Sequence, residues 1–253
     1  RIFRPMAMAN KYSVCLCKKR VMLIDPQEID KVLQVPESDS ASPVKVSEAQ
    51  FIFNFLKEKN LKDTLETGFA YARSASHIIA ATQSKHIAID PFQENYQSLG
   101  LENIKALGMD HLLDFHADFS HNVLPALHKE KRTFDFIFID GDHKFDGELI
   151  DFYYADFMLK DKGYVLLHDT WMRSTRLLMR FIEKNRKDYI KVKTPLRNFA
   201  LYQKIGADSR NGMHFREFYT FKSLVTHNVI MYLTTGKDNF LKRMIFKLKE
   251  LLK

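Results

Sequence analysis

From Asp63 onward the chain alternates between short, nearly unbroken apolar runs and longer segments whose apolar positions recur every three or four residues. The runs are "DTLETG", "KHIAIDPF", "LLDFHADF", "FDFIFIDGD" and "GYVLLHDT"; between them lie "SASHIIAAT", "ENYQSLGLENIKALG", "NVLPALHKE" and "GELIDFYYADFMLK", which read as helices. Runs as apolar as "FIFI" and "YVLL" suit strands buried on both faces. Strands alternating with helices at this spacing predict right-handed βαβ units around a parallel sheet. A further helix, "STRLLMRFIEKN", leads to "YIKVKTP" and "NFALYQKI", two extended segments whose short connection forces an antiparallel pair. The expected class is α/β: a doubly wound sheet of five parallel strands closed by a C-terminal antiparallel hairpin, with helices on both faces.

Outside this core the pattern is weaker. "KYSVCLC" and "RVMLI", within the first 35 residues, read as a small hairpin or as extended arms, and "PESDSASP" (36–43) reads as a linker. In "SEAQFIFNFLKEKN", Ser47 is a candidate cap and the Phe, Ile and Leu positions form a broad apolar face, so this segment reads as a helix entering the core. The resulting division is 1–46 as an N-terminal extension, 47–205 as the core and 206–253 as a basic C-terminal extension. Within the last, "DNFLKRMIFKLKELLK" places Phe240, Met244, Leu248 and Leu251 along one stripe among lysines. Such a helix packs on its own protein, on a second copy as in a homodimer, or on an anionic membrane surface.

Composition narrows the class. With 45% apolar residues over 253 positions the chain can bury a large core. No apolar run approaches the roughly 20 residues of a membrane span, and the two cysteines, Cys15 and Cys17, are badly placed for a mutual disulfide. A soluble, cytoplasmic protein is expected. The net charge of +8 sits largely in residues 207–253, which hold nine Lys or Arg against four Asp or Glu. A basic stripe on the core, the usual footprint of nucleic-acid binding, is missing, so no nucleic-acid partner is expected.

The candidate chemistry lies where the runs end. "LETGFAYARSA" places an acidic residue, a glycine and a small residue at Glu66, Gly68 and Ala72; "IAIDPF" ends in Asp90; "FHADFS" offers Asp118, Phe119 and Ser120; "FDFIFIDGDHKF" delivers Asp140, Asp142 and His143; and "LLHDTW" delivers His168, Asp169, Thr170 and Trp171. In an open α/β sheet, ligands bind beyond the carboxyl ends of the strands. A nicotinamide dinucleotide would require three glycines in G-x-G-x-x-G, and "GFAYAR" has one.

This ordered set resembles the class I S-adenosylmethionine-dependent methyltransferases, with Ala72 standing where that family usually has glycine. The resemblance implies a Rossmann-like sheet and a cofactor, S-adenosyl-L-methionine, held by Glu66, Gly68, Phe69, Ala70, Asp90, Asp118, Phe119 and Asp140. Asp90 would accept the ribose hydroxyls, and the segment from Asp118 to Ser120 would hold the adenine. Gly68 would let the cofactor approach the backbone.

The stretch from "FIDGDHKF" to "LLHDT" is similar to catechol-type and sugar-type O-methyltransferases, which implies Mg²⁺ at Asp140, Asp169 and Thr170 and a small-molecule hydroxyl acceptor, a sugar or phenolic metabolite. Many metal-dependent members carry Asp or Asn where Thr170 stands. Asp140 and His143 are the catalytic candidates, His143 as a third ligand or as a general base near neutral pH. Bland readings accompany these: Asp142 as a turn residue, His168 pointing into a neighbouring layer, Trp171 as packing. The alternative function is a catalytically silent, cofactor-binding scaffold docked through its basic tail.

Overall fold

In the computed structural model the described residues are 25–40 and 42–212, with the isolated positions 225 and 229. Five strands run parallel: β1 (Thr64–Thr67), β2 (His86–Ile89), β3 (Leu113–His116), β4 (Phe134–Ile139) and β5 (Leu159–Leu167). β6 (Tyr189–Val192) and β7 (Ala200–Lys204) form the expected antiparallel hairpin, and β7 joins β5 antiparallel. The sheet order is β3-β2-β1-β4-β5-β7-β6. The helices are α1 (Pro26–Val32), α2 (Val46–Lys59), α3 (Arg73–Thr82), α4 (Leu99–Ala106), α5 (Ser120–Lys129), α6 (Phe145–Met158) and α7 (Arg173–Asn185).

The strand alternation explains two cores. Phe136 and Phe138 of β4 join Tyr164 and Leu166 of β5 in one cluster with Ile52 and Phe55 of α2 and Ile78 of α3. The intervening Ile137 and Ile139 join Val165 and Leu167 in the other, with Leu124 of α5, Phe152 of α6 and Leu178 of α7. β4 and β5 therefore bury every position of their central runs, Phe136–Ile139 and Tyr164–Leu167, which is why these runs lack polar punctuation.

The N-terminal region differs from its sequence reading. Residues 26–32, to which the sequence reading assigned no element, are helical: Asp25 caps the helix by accepting from the Gln27 N–H at 2.9 Å, Pro26 stands at its first turn, and Ile29 is buried against α3. Ser47 lies inside α2 and is not its cap. The Glu48 carboxylate instead turns back to accept from the Lys45 N–H at 2.8 Å. β5 begins four residues before "GYVLL": Leu159 pairs with Phe134, and the largely polar residues after it fall in a register irregularity before Tyr164 pairs with Phe136. The expected pairing within residues 1–24 and the basic helix at 238–253 lie outside the described residues. Among the described residues no helix is long and apolar enough to cross a membrane.

Candidate active site

Register builds the site. Thr67 at the end of β1 pairs with Ile89 on one side and Ile139 on the other, and Ile139 pairs with Leu167. The next residue of each strand, Gly68, Asp90, Asp140 and His168, therefore falls in one rank along the carboxyl rim. Hydrogen bonds continue past the strands to hold it: the Gly68 N–H donates to Ile89 O, the Asp140 N–H to Thr67 O (both 2.9 Å) and the His168 N–H to Ile139 O (3.2 Å).

At the β1–β2 end, backbone dominates. Gly68 has φ +86°, and a Cβ there would lie 2.1 Å from the Asp140 carbonyl oxygen. The space that glycine leaves is filled by the neighbouring chain, so the residue is required by the β1–β4 approach and not only by a ligand. Asp90 secures the loop that follows: its Oδ2 accepts from the Phe69 N–H (3.0 Å) and the Ala70 N–H (2.9 Å), and its Oδ1 from the Phe92 N–H (2.7 Å). Ala70 and Ala72 sit in left-handed conformations at φ 43° and 63°, a strained state for non-glycine residues that these bonds maintain.

A cleft of about 760 Å³ opens above this rank, lined by Gly68, Asp90, Phe119, Asp140, His143 and Trp171 among others; its size suits a small molecule and a cofactor, within the roughly 300–1,000 Å³ usual for such sites. Ser42 and Pro43 of the linker, with Val44 after it, form part of its wall. Phe92 and Phe119 meet edge to face at 5.7 Å, both half-exposed, on that side of the cleft.

At the β4–β5 end, side chains dominate. Asp140, His143 and Asp169 bring one ligand atom each within 4.8 Å of one another, and His143 Nε2 is 3.5 Å from Asp169 Oδ2. The side chains of Asp140 and Asp169 are 17% and 18% exposed and that of His143 39%, so the cluster faces the cleft without being stripped of solvent. Asp169 has φ 49°, a left-handed turn that Asp tolerates, and its Oδ1 accepts from Trp171 Nε1 at 3.0 Å.

Residues 65–170 match a family model described as a methyltransferase domain. The matched segment runs from β1 to the turn after β5 and covers less than half of the chain. Over 127 residues the chain is 32% identical to caffeoyl-CoA O-methyltransferase of Medicago sativa, a match covering 46% of this chain and 51% of that protein. Over 104 residues it is 36% identical to flavonoid 3',5'-methyltransferase of Vitis vinifera, covering 39% and 44%. The matches thus span about half the length of these relatives. Among solved structures, the O-methyltransferase TomG from Streptomyces achromogenes in complex with SAM superposes with a TM-score of 0.60 at 16% identity, over 73% of this chain and 92% of that one. The Bacillus cereus O-methyltransferase in complex with SAH gives 0.56 at 15% identity, over 76% and 94%. At these identities the two structures establish the fold.

Not every residue singled out by sequence reaches the cleft. Glu66 is fully buried in β1, 3.4 Å from His86 Nε2, and burial holds its carboxyl above the usual range. Asp118 is turned to its own helix: Asn122 Nδ2 and the Phe119 N–H donate to it at 2.9 and 2.7 Å. Thr170 is not brought to the Asp140 cluster; its hydroxyl donates to Arg197 O at 2.6 Å, because the left-handed turn at Asp169 redirects the chain. Asp142 accepts from the Lys144 N–H at 3.1 Å, the turn role. Trp171 is 65% exposed at the cleft mouth and is not packing.

Two residues that the sequence did not single out, Glu48 and Asn198, enter the site from below and meet at His168. His168 is buried; its Nδ1 lies 2.8 Å from Asp140 Oδ1 and its Nε2 3.2 Å from Glu48 Oε2. Burial opposes charge on this imidazole, but the bonds to Asp140 and Glu48 prevail and push it up to about 10. Burial likewise opposes charge on Glu48, yet His168 and the Lys45 N–H bring it down to about 2. Asn198, in the turn between β6 and β7, places Nδ2 3.2 Å from both Glu48 Oε1 and Asp169 Oδ1. Glu48 carried one legible signal: it shares a helical face with Ile52, Phe55 and Leu56, where a charge has no apolar reason to be. Asn198 carried none.

Proposed function

We propose that this chain transfers a methyl group from S-adenosylmethionine to a hydroxyl of a small phenolic molecule, assisted by a divalent cation. The observation that carries the reading is the single rim that sets the Gly68–Asp90 end of the cleft beside Asp140, His143 and Asp169. Gly68, Phe69, Ala70, Asp90 and Phe119 are the residues placed to receive the adenosyl group. Three of the lone-pair sites of Asp90 already serve the loop, so its contribution to the ribose is one remaining acceptor direction and the loop shape it fixes.

Two carboxylates and an imidazole with open positions fit a divalent cation such as Mg²⁺ or Mn²⁺, and the spacing of their ligand atoms fits one ion. Bound there, the ion would lower the pKa of the acceptor hydroxyl and orient its oxygen. The protein's own contribution is to keep the two carboxylates converged and to present the acceptor. His143, more exposed than either Asp and lining the cleft, is the candidate general base for the acceptor hydroxyl. Trp171, held by its bond to Asp169, offers a flat apolar face beside the cluster, which favours a planar aromatic acceptor over a sugar. The phenolic names of the curated relatives support the same choice.

The test is methyl transfer from labelled S-adenosylmethionine to a panel of vicinal-diol phenols and sugars, with and without chelator. Turnover of the phenols that chelator abolishes is expected. Failure to bind S-adenosylhomocysteine at millimolar concentration rejects the reading altogether.

A further inference from the structure

Glu48 lies in the first turn of α2 and is 3% exposed. A carboxylate that deep must be fully engaged, and the partners it has are informative. From Oε2 a path runs through His168 Nε2 (3.2 Å) and His168 Nδ1 to Asp140 Oδ1 (2.8 Å). From Oε1 a second path runs through Asn198 Nδ2 (3.2 Å) to Asp169 Oδ1 (3.2 Å). One carboxylate, 120 residues from His168 and 150 from Asn198 in sequence, therefore sits behind both carboxylates of the candidate cation cluster. The Thr170 hydroxyl, donating to Arg197 O, fastens the Asn198 turn to the same corner.

We infer that Glu48 and Asn198 are positioning residues that hold Asp140 and Asp169 at the spacing a divalent cation requires. They make α2 and the β6–β7 turn parts of the site. The inference rests on the cation reading given above. A network that only tied α2 to the sheet would stabilise the fold and leave ion affinity untouched; this one acts on ligand orientation, because both paths end on oxygen atoms of ligand carboxylates. Partners of that kind are typically worth about 10–100-fold in metal affinity.

The experiment uses the full chain and reads Mn²⁺ binding by the paramagnetic resonance of free ion, S-adenosylhomocysteine binding by calorimetry, and thermal unfolding. Glu48→Gln and Asn198→Ala are expected to weaken Mn²⁺ about 10–100-fold and to leave S-adenosylhomocysteine affinity within about twofold, since no bond from either residue reaches the Gly68 loop. Glu48→Ala, which removes the reach as well as the charge, is expected to lose more than Glu48→Gln. Should the Glu48 variants fail to fold, Asn198→Ala decides alone, its side chain being only half-buried. Mn²⁺ affinity equal to wild type in the folded variants overturns the inference. A wild-type protein that binds S-adenosylhomocysteine but no Mn²⁺ overturns it together with the cation site, and one that binds neither overturns the methyltransferase reading as well.

Discussion

At the Gly68 end of the rim the shape is made by main chain, with one glycine pressed on the Asp140 carbonyl and one carboxylate, Asp90, spent on three backbone N–H groups. At the Asp169 end it is made by side chains from α2, β4, β5 and the β6–β7 turn, meeting through Glu48, Asp140, His168 and Asn198. The first arrangement depends on local geometry and fails as a fold. The second depends on charge and orientation and fails as chemistry.

Gly68→Ala is the sharpest way to break the first end. A Cβ at 2.1 Å from backbone, at φ +86°, must displace β1 from β4. Steric overlap and the left-handed penalty together predict a loss of about 3–5 kcal/mol, read as a lowered urea midpoint and lost S-adenosylhomocysteine binding. Asp169→Ala should do the opposite kind of damage. It removes a candidate ligand and the partner of Trp171 and Asn198, so turnover is expected to fall by about a hundredfold or more, on the order of 3 kcal/mol, while cofactor-product affinity stays near wild type. Equal loss of both bindings would erase the contrast between the two ends.

pH sharpens it further. Burial pushes Glu148 up to about 7, against the Thr175 hydroxyl that donates to it, and Asp151 up to about 6. A carboxyl raised in the folded state favours the protonated native protein. Its contribution is complete below the ordinary range near pH 4 and is lost as pH rises through 6 to 7. Glu48, lowered to about 2, behaves in reverse: its contribution is present above its ordinary value and lost as pH falls toward 2. Urea unfolding should therefore show these two groups' contribution to stability falling from about pH 4 to 7, and Glu148→Gln should flatten that fall by on the order of 2 kcal/mol. The smallest effect is expected at Trp171→Ala. Loss of an exposed aromatic face should raise the KM for a phenolic acceptor about tenfold, on the order of 1 kcal/mol, with S-adenosylhomocysteine affinity unchanged. A sugar acceptor that proves indifferent to the change would sharpen the assignment to phenols.

The unequal legibility of the two ends has the same origin. Strand runs such as "FDFIFI" were readable because burial on both faces leaves no room for polar residues, and register then aligned Gly68, Asp90 and Asp140 without further information. Residues 26–32 went unassigned because a seven-residue helix with one buried position, Ile29, has almost no periodicity; only Asp25 and Pro26 marked its start. Thr170 was expected at the ion because it follows Asp169, but a left-handed turn there directs the next side chain away. Glu66 was expected at the cofactor, yet its position in β1 points it inside. Asn198 carried no signal and Glu48 only a misplaced charge on an apolar helical face, since their roles exist only when α2 and the β6–β7 turn meet at His168. Local pattern reports what a segment buries; it does not report which distant side chain arrives.

The most direct test is a crystal grown with S-adenosylhomocysteine and Mn²⁺ and measured for anomalous scattering. The account predicts the adenosyl group in the cleft beside Gly68 and Asp90, and one Mn²⁺ peak bound by Asp140, His143 and Asp169. A peak bound by other side chains, or the nucleoside lying outside that cleft, would contradict it.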